Sequence, residues 1–361
     1  MAARAPQKLN SYLVVMAGGS GTRFWPKSTS KRPKQLLAFG GNGQGDCGEG
    51  ETLLKQTLGR FDGIVPSSQK IVVTTAALEP AVHEQAPGAL VLAEPQGRNT
   101  APCIYWAART VAAIDPKAVM LVMPSDHYIA HLSAFKSTVQ KACEWAASHD
   151  DLVTLGVQPE RPETGYGYLK VSANSEGGCK KVDSFVEKPN LERAKQFLAD
   201  GNYLWNGGMF LWRAEVILRA FDELMPEMRK VWDGESGEVA RAYPKMTATS
   251  IDYGVMERAK NVVAFPLECG WDDLGSWTSL ESLAEALHAR HAAGTVTGGD
   301  ALAIDSTGNI VDTPNRLTAL LGVNDLIVVE HGGAILVADK RRAQDIRLIV
   351  EELKKRGSNL L

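Results

Sequence analysis

The stretch from Tyr12 to Gln35, YLVVMAGGSGTRFWPKSTSKRPKQ, constrains this chain more than any other. Tyr12-Leu13-Val14-Val15-Met16 is an unbroken apolar run. Such a run suits a strand covered on both faces in a parallel sheet, because a strand with one wet face would alternate. The character then changes within two residues. Gly18, Gly19 and Gly21 open backbone conformations closed to other residues and let N–H groups approach a ligand. Thr22 adds a hydroxyl, and Arg23, Lys27, Lys31, Arg32 and Lys34 place five cations within twelve positions. Like charges repel unless something negative sits among them, so the loop reads as a seat for a polyanion.

Two standard glycine motifs fail here. A P-loop needs Gly, four residues, then Gly-Lys-Ser/Thr, and the chain has no such string. The dinucleotide fingerprint needs G-x-G-x-x-G opening a helix, whereas Gly19-Ser20-Gly21 runs into Thr22-Arg23-Phe24. A nicotinamide dehydrogenase is therefore disfavoured.

Beyond the loop, apolar strand-like runs (residues 71–74, 89–93, 119–123, 152–157) alternate with helical patterns (78–85, 100–114, 133–147). That alternation marks βαβ units, so the expected fold is α/β: a Rossmann-like, mostly parallel mixed sheet flanked by helices. Past residue 292 the texture shifts to short β segments and a closing amphipathic helix over 342–356. The expected division is a catalytic domain at 1–292 and a small C-terminal β-rich domain at 293–361. The glycine-rich tract 40–50 reads as a mobile loop.

Composition narrows the function classes. A net charge of −3 gives no general pull toward nucleic acid, which makes the basic loop a local device. MAARAPQKLN has no apolar core and is not a secretory signal, and no later run approaches a membrane span. The five cysteines are odd in number and lack C-x-x-C spacing, which points to a reducing cytoplasm and away from a disulfide framework or zinc site.

Ligands of such sheets collect at the carboxyl ends of strands, and polar motifs sit there. Arg98-Asn99-Thr100 opens a helix whose free N–H groups could meet an anion or a base edge, although capping alone would explain Asn99. Pro124-Ser125-Asp126-His127 puts a carboxylate at a strand end; His127 has no nucleophile beside it and reads as structural or sugar-contacting. Magnesium takes one or two carboxylates plus phosphate oxygens, so Asp126 needs a partner. Cys269-Gly270-Trp271-Asp272-Asp273 supplies candidates, which could equally be helix caps. Thr164-Gly165-Tyr166-Gly167, Val186-Glu187-Lys188-Pro189 and Trp205-Asn206-Gly207-Gly208 carry groups suited to a sugar phosphate, with Glu187 accepting from hydroxyls and Lys188 facing the phosphate. Glu187-Lys188 could also be a bare strand-end ion pair. Residues 250–257 read as a capped helix start.

Taken together, G-G-S-G-T-R-F-W-P, R-N-T-A-P, G-Y-G, V-E-K-P and W-N-G-G-M-F, in this order, resemble the sugar-nucleotide pyrophosphorylases, and Phe24-Trp25-Pro26 is similar to their mannose-1-phosphate guanylyltransferase branch. The resemblance implies GTP and mannose 1-phosphate as substrates, GDP-mannose and diphosphate as products, and Mg²⁺ as cofactor. It assigns Gly18, Gly19, Gly21 and Thr22 to the triphosphate and Arg98, Asn99 and Thr100 to the nucleotide. Arg23 faces the leaving pyrophosphate and Lys34 the α- or sugar phosphate. Gly165, Glu187, Lys188 and Asn206 take the sugar phosphate, and Asp126 and Asp273, rather than Asp272, hold the metal. The tract 40–50 is longer than the usual connection. No nucleic-acid or membrane partner is implied, and a homodimer is left open. Bacterial relatives can continue into an isomerase domain; the chain stops before it, so mannose-6-phosphate isomerase activity is expected to be absent. Two alternatives stay open: another hexose 1-phosphate or nucleoside triphosphate, and a catalytically silent regulatory subunit. The second expects lost charges at Arg23, Lys34, Asp126 or Asp273, and all four are present.

Overall fold

The computed structural model describes residues 9–19, 21–39, 51–283, 296–297, 299–314 and 316–361. The expected mobile loop at 40–50, Cys47 within it, and the boundary between 292 and 293 lie outside these. The chain divides into two compact units: one holds residues up to Gly18, Leu58–Pro124 and His131–Trp271; the other holds Gly19–Thr57, Ser125–Ala130 and Asp272–Leu361.

The first unit is built on a nine-stranded sheet. Its strands are β1 (Ser11–Met16), β2 (Lys70–Thr75), β3 (Leu90–Glu94), β4 (Val119–Pro124), β5 (Leu152–Val157), β6 (Tyr168–Glu176), β7 (Cys179–Val186), β8 (Tyr203–Arg213) and β9 (Val262–Leu267), in the order β3-β2-β1-β4-β8-β5-β9-β7-β6. β1 pairs in parallel with β2 and β4, while β8 runs antiparallel to β4 and β5, and β7 antiparallel to β9. The mixed, mostly parallel sheet is therefore the one expected. Tyr12 and Val14 belong to the same core cluster as helix α1 (Thr100–Ile114), yet Leu13 and Val15 are fully buried too. Both faces of β1 are covered, which is why its sequence does not alternate. Helices α2 (Leu132–Ser148) and α3 (Ala214–Leu224) add further cover, with Phe221 of α3 edge-on to Tyr105 of α1 at 5.2 Å. Each such fully buried side chain contributes about 1.5–3 kcal/mol of transfer free energy.

The second unit ends in stacked parallel rungs. β10 (Val296–Thr297), β12 (Ile310–Asp312) and β14 (Leu326–His331) pair in parallel, as do β11 (Ala301–Ile304) and β13 (Thr318–Leu321). Val296 pairs with Ile310, fourteen residues on, while Ile310 pairs with Ile327 and Ala301 with Thr318, each seventeen residues on. Buried Asn309 joins successive rungs: its Nδ2 donates to the Val323 carbonyl at 3.0 Å and its Oδ1 accepts from Leu326 N at 2.9 Å. A hairpin through Gly332 and Gly333 returns β15 (Ala334–Asp339) antiparallel to β14, and helix α4 (Ile346–Lys355) closes the unit. Ile346 and Val350 of α4 enter a core with Ile310, Ile327, Val329, Phe24, Trp25 and Trp277. The β-rich domain ending in a helix was expected; its parallel coil was not, because segments this short carry no pairing signal.

Candidate active site

In the second unit, Thr22–Phe24 forms one 3₁₀ turn entered through Gly21 at φ 55°. A Cβ on Gly21 would lie 2.6 Å from the Lys34 backbone N, inside any permitted contact, and the positive φ excludes most residues as well. Gly21 is thus the residue that lets the loop close onto Lys34. A Cβ on Gly19 would meet nothing within 4 Å, and its carbonyl accepts from Gln35 Nε2 at 3.0 Å. Phe24-Trp25-Pro26 is the anchor of the loop. Phe24 packs on Phe39 and Trp277 at 5.1 and 5.2 Å, Trp25 Nε1 donates to the Leu360 carbonyl at 3.1 Å, and Trp277 Nε1 donates to the Trp25 carbonyl at 3.3 Å.

The five cations of this segment divide by role. Lys27 is buried in an ion pair with buried Asp312 of β12, 2.6 Å apart, so it is neutralised within the protein rather than held for a ligand. Lys34 is also buried, and its ammonium donates to Asp126 Oδ2 at 2.8 Å and to the Asp273 carbonyl. Arg32 Nε reaches the Leu36 carbonyl at 3.5 Å. Arg23 and Lys31 are exposed, with no side-chain ion pair or hydrogen bond among the described residues.

Lys34 therefore joins the Asp126 carboxylate to the Asp273 backbone, two segments expected to act together. Burial pushes the Asp126 carboxyl up, but the Lys34 ammonium, His127 and hydrogen bonding outweigh it, and the group settles below its ordinary range. Asp126 is held ionised. In the other segment, Asp272 Oδ1 accepts from Leu274 N at 2.7 Å, shaping a turn in which Leu274 has φ 48°. At Gly275 a Cβ would stand 3.0 and 3.2 Å from the Asp273 carboxylate oxygens, so the glycine leaves that carboxylate its space. Asp272 shapes the turn, and the Asp273 carboxylate lies against Gly275 within it. Among the described residues no three His, Cys, Asp or Glu side chains cluster as a metal cage. Magnesium can be held by one or two carboxylates with phosphate and water in the remaining positions, so the lack of a three-residue cage does not count against Asp126 and Asp273. Lys34 shows that oxygens from both segments already converge on one positive charge.

The expected nucleotide residues of the first unit are engaged with one another. Arg98 donates to the Met246 carbonyl at 3.3 Å and to that of Pro244, Asn99 caps α1 by accepting from Thr100 N at 2.8 Å, and Thr100 Oγ1 accepts from Ile251 N at 2.8 Å. Arg98 and Thr100 fasten the head of α1 to residues 244–251, and Asn99 caps it. Gly18 faces Glu94, whose Oε2 would lie 2.8 Å from a Cβ there. Glu94 accepts from the Tyr243 hydroxyl, and burial raises its pKa above the usual carboxylate range. Sequence reasoning passed over it as part of a turn; its place at the end of β3 was the available signal.

The expected sugar residues meet in the same unit. Gly165 N donates to Glu163 Oε1 at 2.9 Å. Glu187 pairs with Lys188 at 3.0 Å, Lys188 having φ 46°, and Glu187 Oε2 would be 2.5 Å from a Cβ on Gly167. The Asn206-Gly207-Gly208 break is a β-bulge against β5: a Cβ on Gly207 would come within 2.9 Å of the Leu155 carbonyl, so the glycine serves strand packing. Asn206 donates through Nδ2 to Asp252 Oδ1 at 2.8 Å, while its Oδ1 accepts from Gly208 N at 3.2 Å and Thr154 Oγ1 at 3.3 Å. Asp252 was read as part of a capped helix start. It instead opens a π-helical turn, Asp252–Met256, a distortion that recurs at functional positions. Burial and the nearby Glu187 push its carboxyl up to about 6, and the same two causes raise Glu257.

The chain is similar in sequence and fold to known proteins. The nucleotidyl transferase family matches residues 12–290, and the mannose-phosphate isomerase/GMP-like beta-helix domain matches residues 299–353. The chain belongs to the nucleotidyl transferase family. Its relatives include the mannose-1-phosphate guanylyltransferase of Escherichia coli K12, 36% identical over 96% of this chain and 74% of that one. The alginate biosynthesis protein AlgA of Pseudomonas aeruginosa is 36% identical over 95% of this chain and 72% of its own length. A solved structure from Thermus thermophilus, titled a mannose-1-phosphate geranyltransferase, superposes on this nucleotidyl transferase with a TM-score of 0.85 at 32% identity, over 96% of this chain and 100% of that one. No helix among the described residues is long and apolar enough to cross a membrane.

Proposed function

We propose that this nucleotidyl transferase joins GTP and mannose 1-phosphate, releasing diphosphate and forming GDP-mannose, in the cytoplasm. One observation carries the reading: in a chain 36% identical to a mannose-1-phosphate guanylyltransferase, a buried lysine gathers Asp126 and the Asp273 segment around a single positive charge. The second pKa of a phosphate monoester lies near ~6, so mannose 1-phosphate is mostly a dianion at neutral pH and attacks the α-phosphorus without a base. The protein's task is to bring two anions together and offset charge as the α–β bridge breaks. Backbone N–H groups at Gly18, Gly19, Gly21 and Thr22 hold the triphosphate, and exposed Arg23 swings onto the departing pyrophosphate. Lys34 faces the α-phosphate or the incoming sugar phosphate. Asp126 and Asp273 would hold Mg²⁺, which would supply positive charge against that developing on the reacting phosphates. Arg98, Asn99 and Thr100 are assigned to the nucleotide, and Gly165, Glu187, Lys188 and Asn206 to the sugar phosphate.

The test is diphosphate release with Mg²⁺ across a matrix of nucleoside triphosphates and hexose 1-phosphates. The highest kcat/KM should fall on GTP with mannose 1-phosphate. A different best pair would overturn the substrate assignment, and no turnover with any pair would overturn the reaction.

A further inference from the structure

Residues 244–252 touch both groups of candidate ligand contacts in the first unit. At one end they accept from Arg98 at Pro244 and Met246, and the Thr249 carbonyl accepts from Ala101 N at 3.0 Å while Ile251 N donates to Thr100. At the other end Asp252 holds Asn206. The segment spans from the head of α1 to the bulge of β8, and Asp252, the first residue of the π-helical turn, is where it meets Asn206.

What Asp252 does follows from how Asn206 is used. The Asn206 carbonyl oxygen is taken by Gly208 N and Thr154, its amide nitrogen by Asp252, and its backbone N–H by the Gly167 carbonyl at 2.8 Å. That set of contacts fixes Asn206 in one orientation. Asp252 itself faces Glu187, with Lys188 beside Glu187, and Glu257 from the same turn; apart from Lys188, acids and one amide make up the group. Clustered acceptors with a single neighbouring cation suit a ligand rich in hydroxyl donors and carrying one anionic group.

We infer that Asp252 is a positioning residue for the hexose of the sugar 1-phosphate, locking Asn206 and aligning Glu187 to accept ring hydroxyls. This rests on the reaction proposed above. Burial and the facing Glu187 keep part of the Asp252 population protonated near neutrality, and the ionised form is the better acceptor from Asn206 and from hydroxyls. Sugar affinity should therefore improve as pH rises through that range, and the increment should vanish without the carboxylate.

The experiment compares wild type with Asp252→Asn, which keeps the shape and one acceptor oxygen. In the variant KM for mannose 1-phosphate should rise at least about tenfold while KM for GTP stays within about twofold. The pH dependence of KM for the sugar phosphate should shrink to that of the substrate's own ionisation. Thermal unfolding at about pH 8 should be no lower than in wild type, because the variant removes a buried acid that the fold disfavours in its charged form. Glu257→Gln, which removes a facing acid, should move the wild-type pH midpoint downward. Unchanged KM for the sugar phosphate in Asp252→Asn, or a rise shared equally by GTP, overturns the inference with the reaction intact. A wild type that turns over no nucleotide and hexose pair overturns the reaction and this inference together.

Discussion

Asp126 and Asp252 are both partly buried aspartates at candidate ligand sites, and their environments drive them in opposite directions. Asp126 faces a buried lysine and stays ionised below its usual range, whereas burial, with Glu187 and then Glu257 facing it, pushes Asp252 up to about 6. One group has its countercharge built in before any substrate arrives. The other is left short of positive charge. The difference fits the two chemistries: phosphate transfer needs fixed, compensated charge of both signs, while a sugar ring needs acceptors and tolerates a shared proton.

That contrast can be broken most sharply at its cation. Lys34→Ala should lower kcat/KM by about a thousandfold or more, since it removes both the proposed phosphate contact and the charge that holds Asp126, and steady-state diphosphate release measures it. Asp273→Ala should follow, abolishing the Mg²⁺-dependent part of kcat by about a hundredfold or more while circular dichroism stays that of wild type. A variant keeping most of its kcat would remove Asp273 from the metal assignment.

Lys27 tests whether burial alone, without chemistry, explains a compensated pair. Lys27→Met leaves Asp312 buried and uncompensated and should cost about 3–5 kcal/mol of stability by denaturant titration, with the paired Lys27→Met/Asp312→Leu variant recovering most of it. The smallest effect belongs to the acidic group. The Asp252 pKa is raised by folding, so its contribution is fully present below its unfolded value and is lost as pH rises through about 6. Asp252→Asn should therefore gain on the order of 1 kcal/mol over wild type above about pH 7, with the gap closing below about pH 4. A constant gap across pH would show that Asp252 is not the group responsible.

How legible all this was in the sequence depended on the range of the interaction. The apolar run at Tyr12–Met16 announced a strand buried on both faces, and the helix expected at 100–114 is Thr100–Ile114. Those signals are local periodicity and capping. The Lys34–Asp126 pair is separated by 92 residues in the chain, and its acid and base were picked out only as motifs. That they meet was not written in either. Lys27 looked like one more cation for the ligand because nothing near it names Asp312. Asp252 looked like part of a capped helix start because Asn206, its partner, lies on a strand 46 residues away in the chain.

By itself the sequence determined the strand-and-helix alternation, the glycines required where the backbone turns left-handed, and the residue types able to handle phosphate, metal and sugar. Short-range sterics and hydrophobic periodicity are enough for that. Only the tertiary structure decided which charges are compensated within the protein and which face a ligand, because the sign and size of an electrostatic effect depend on the distance and burial of partners far away in the chain.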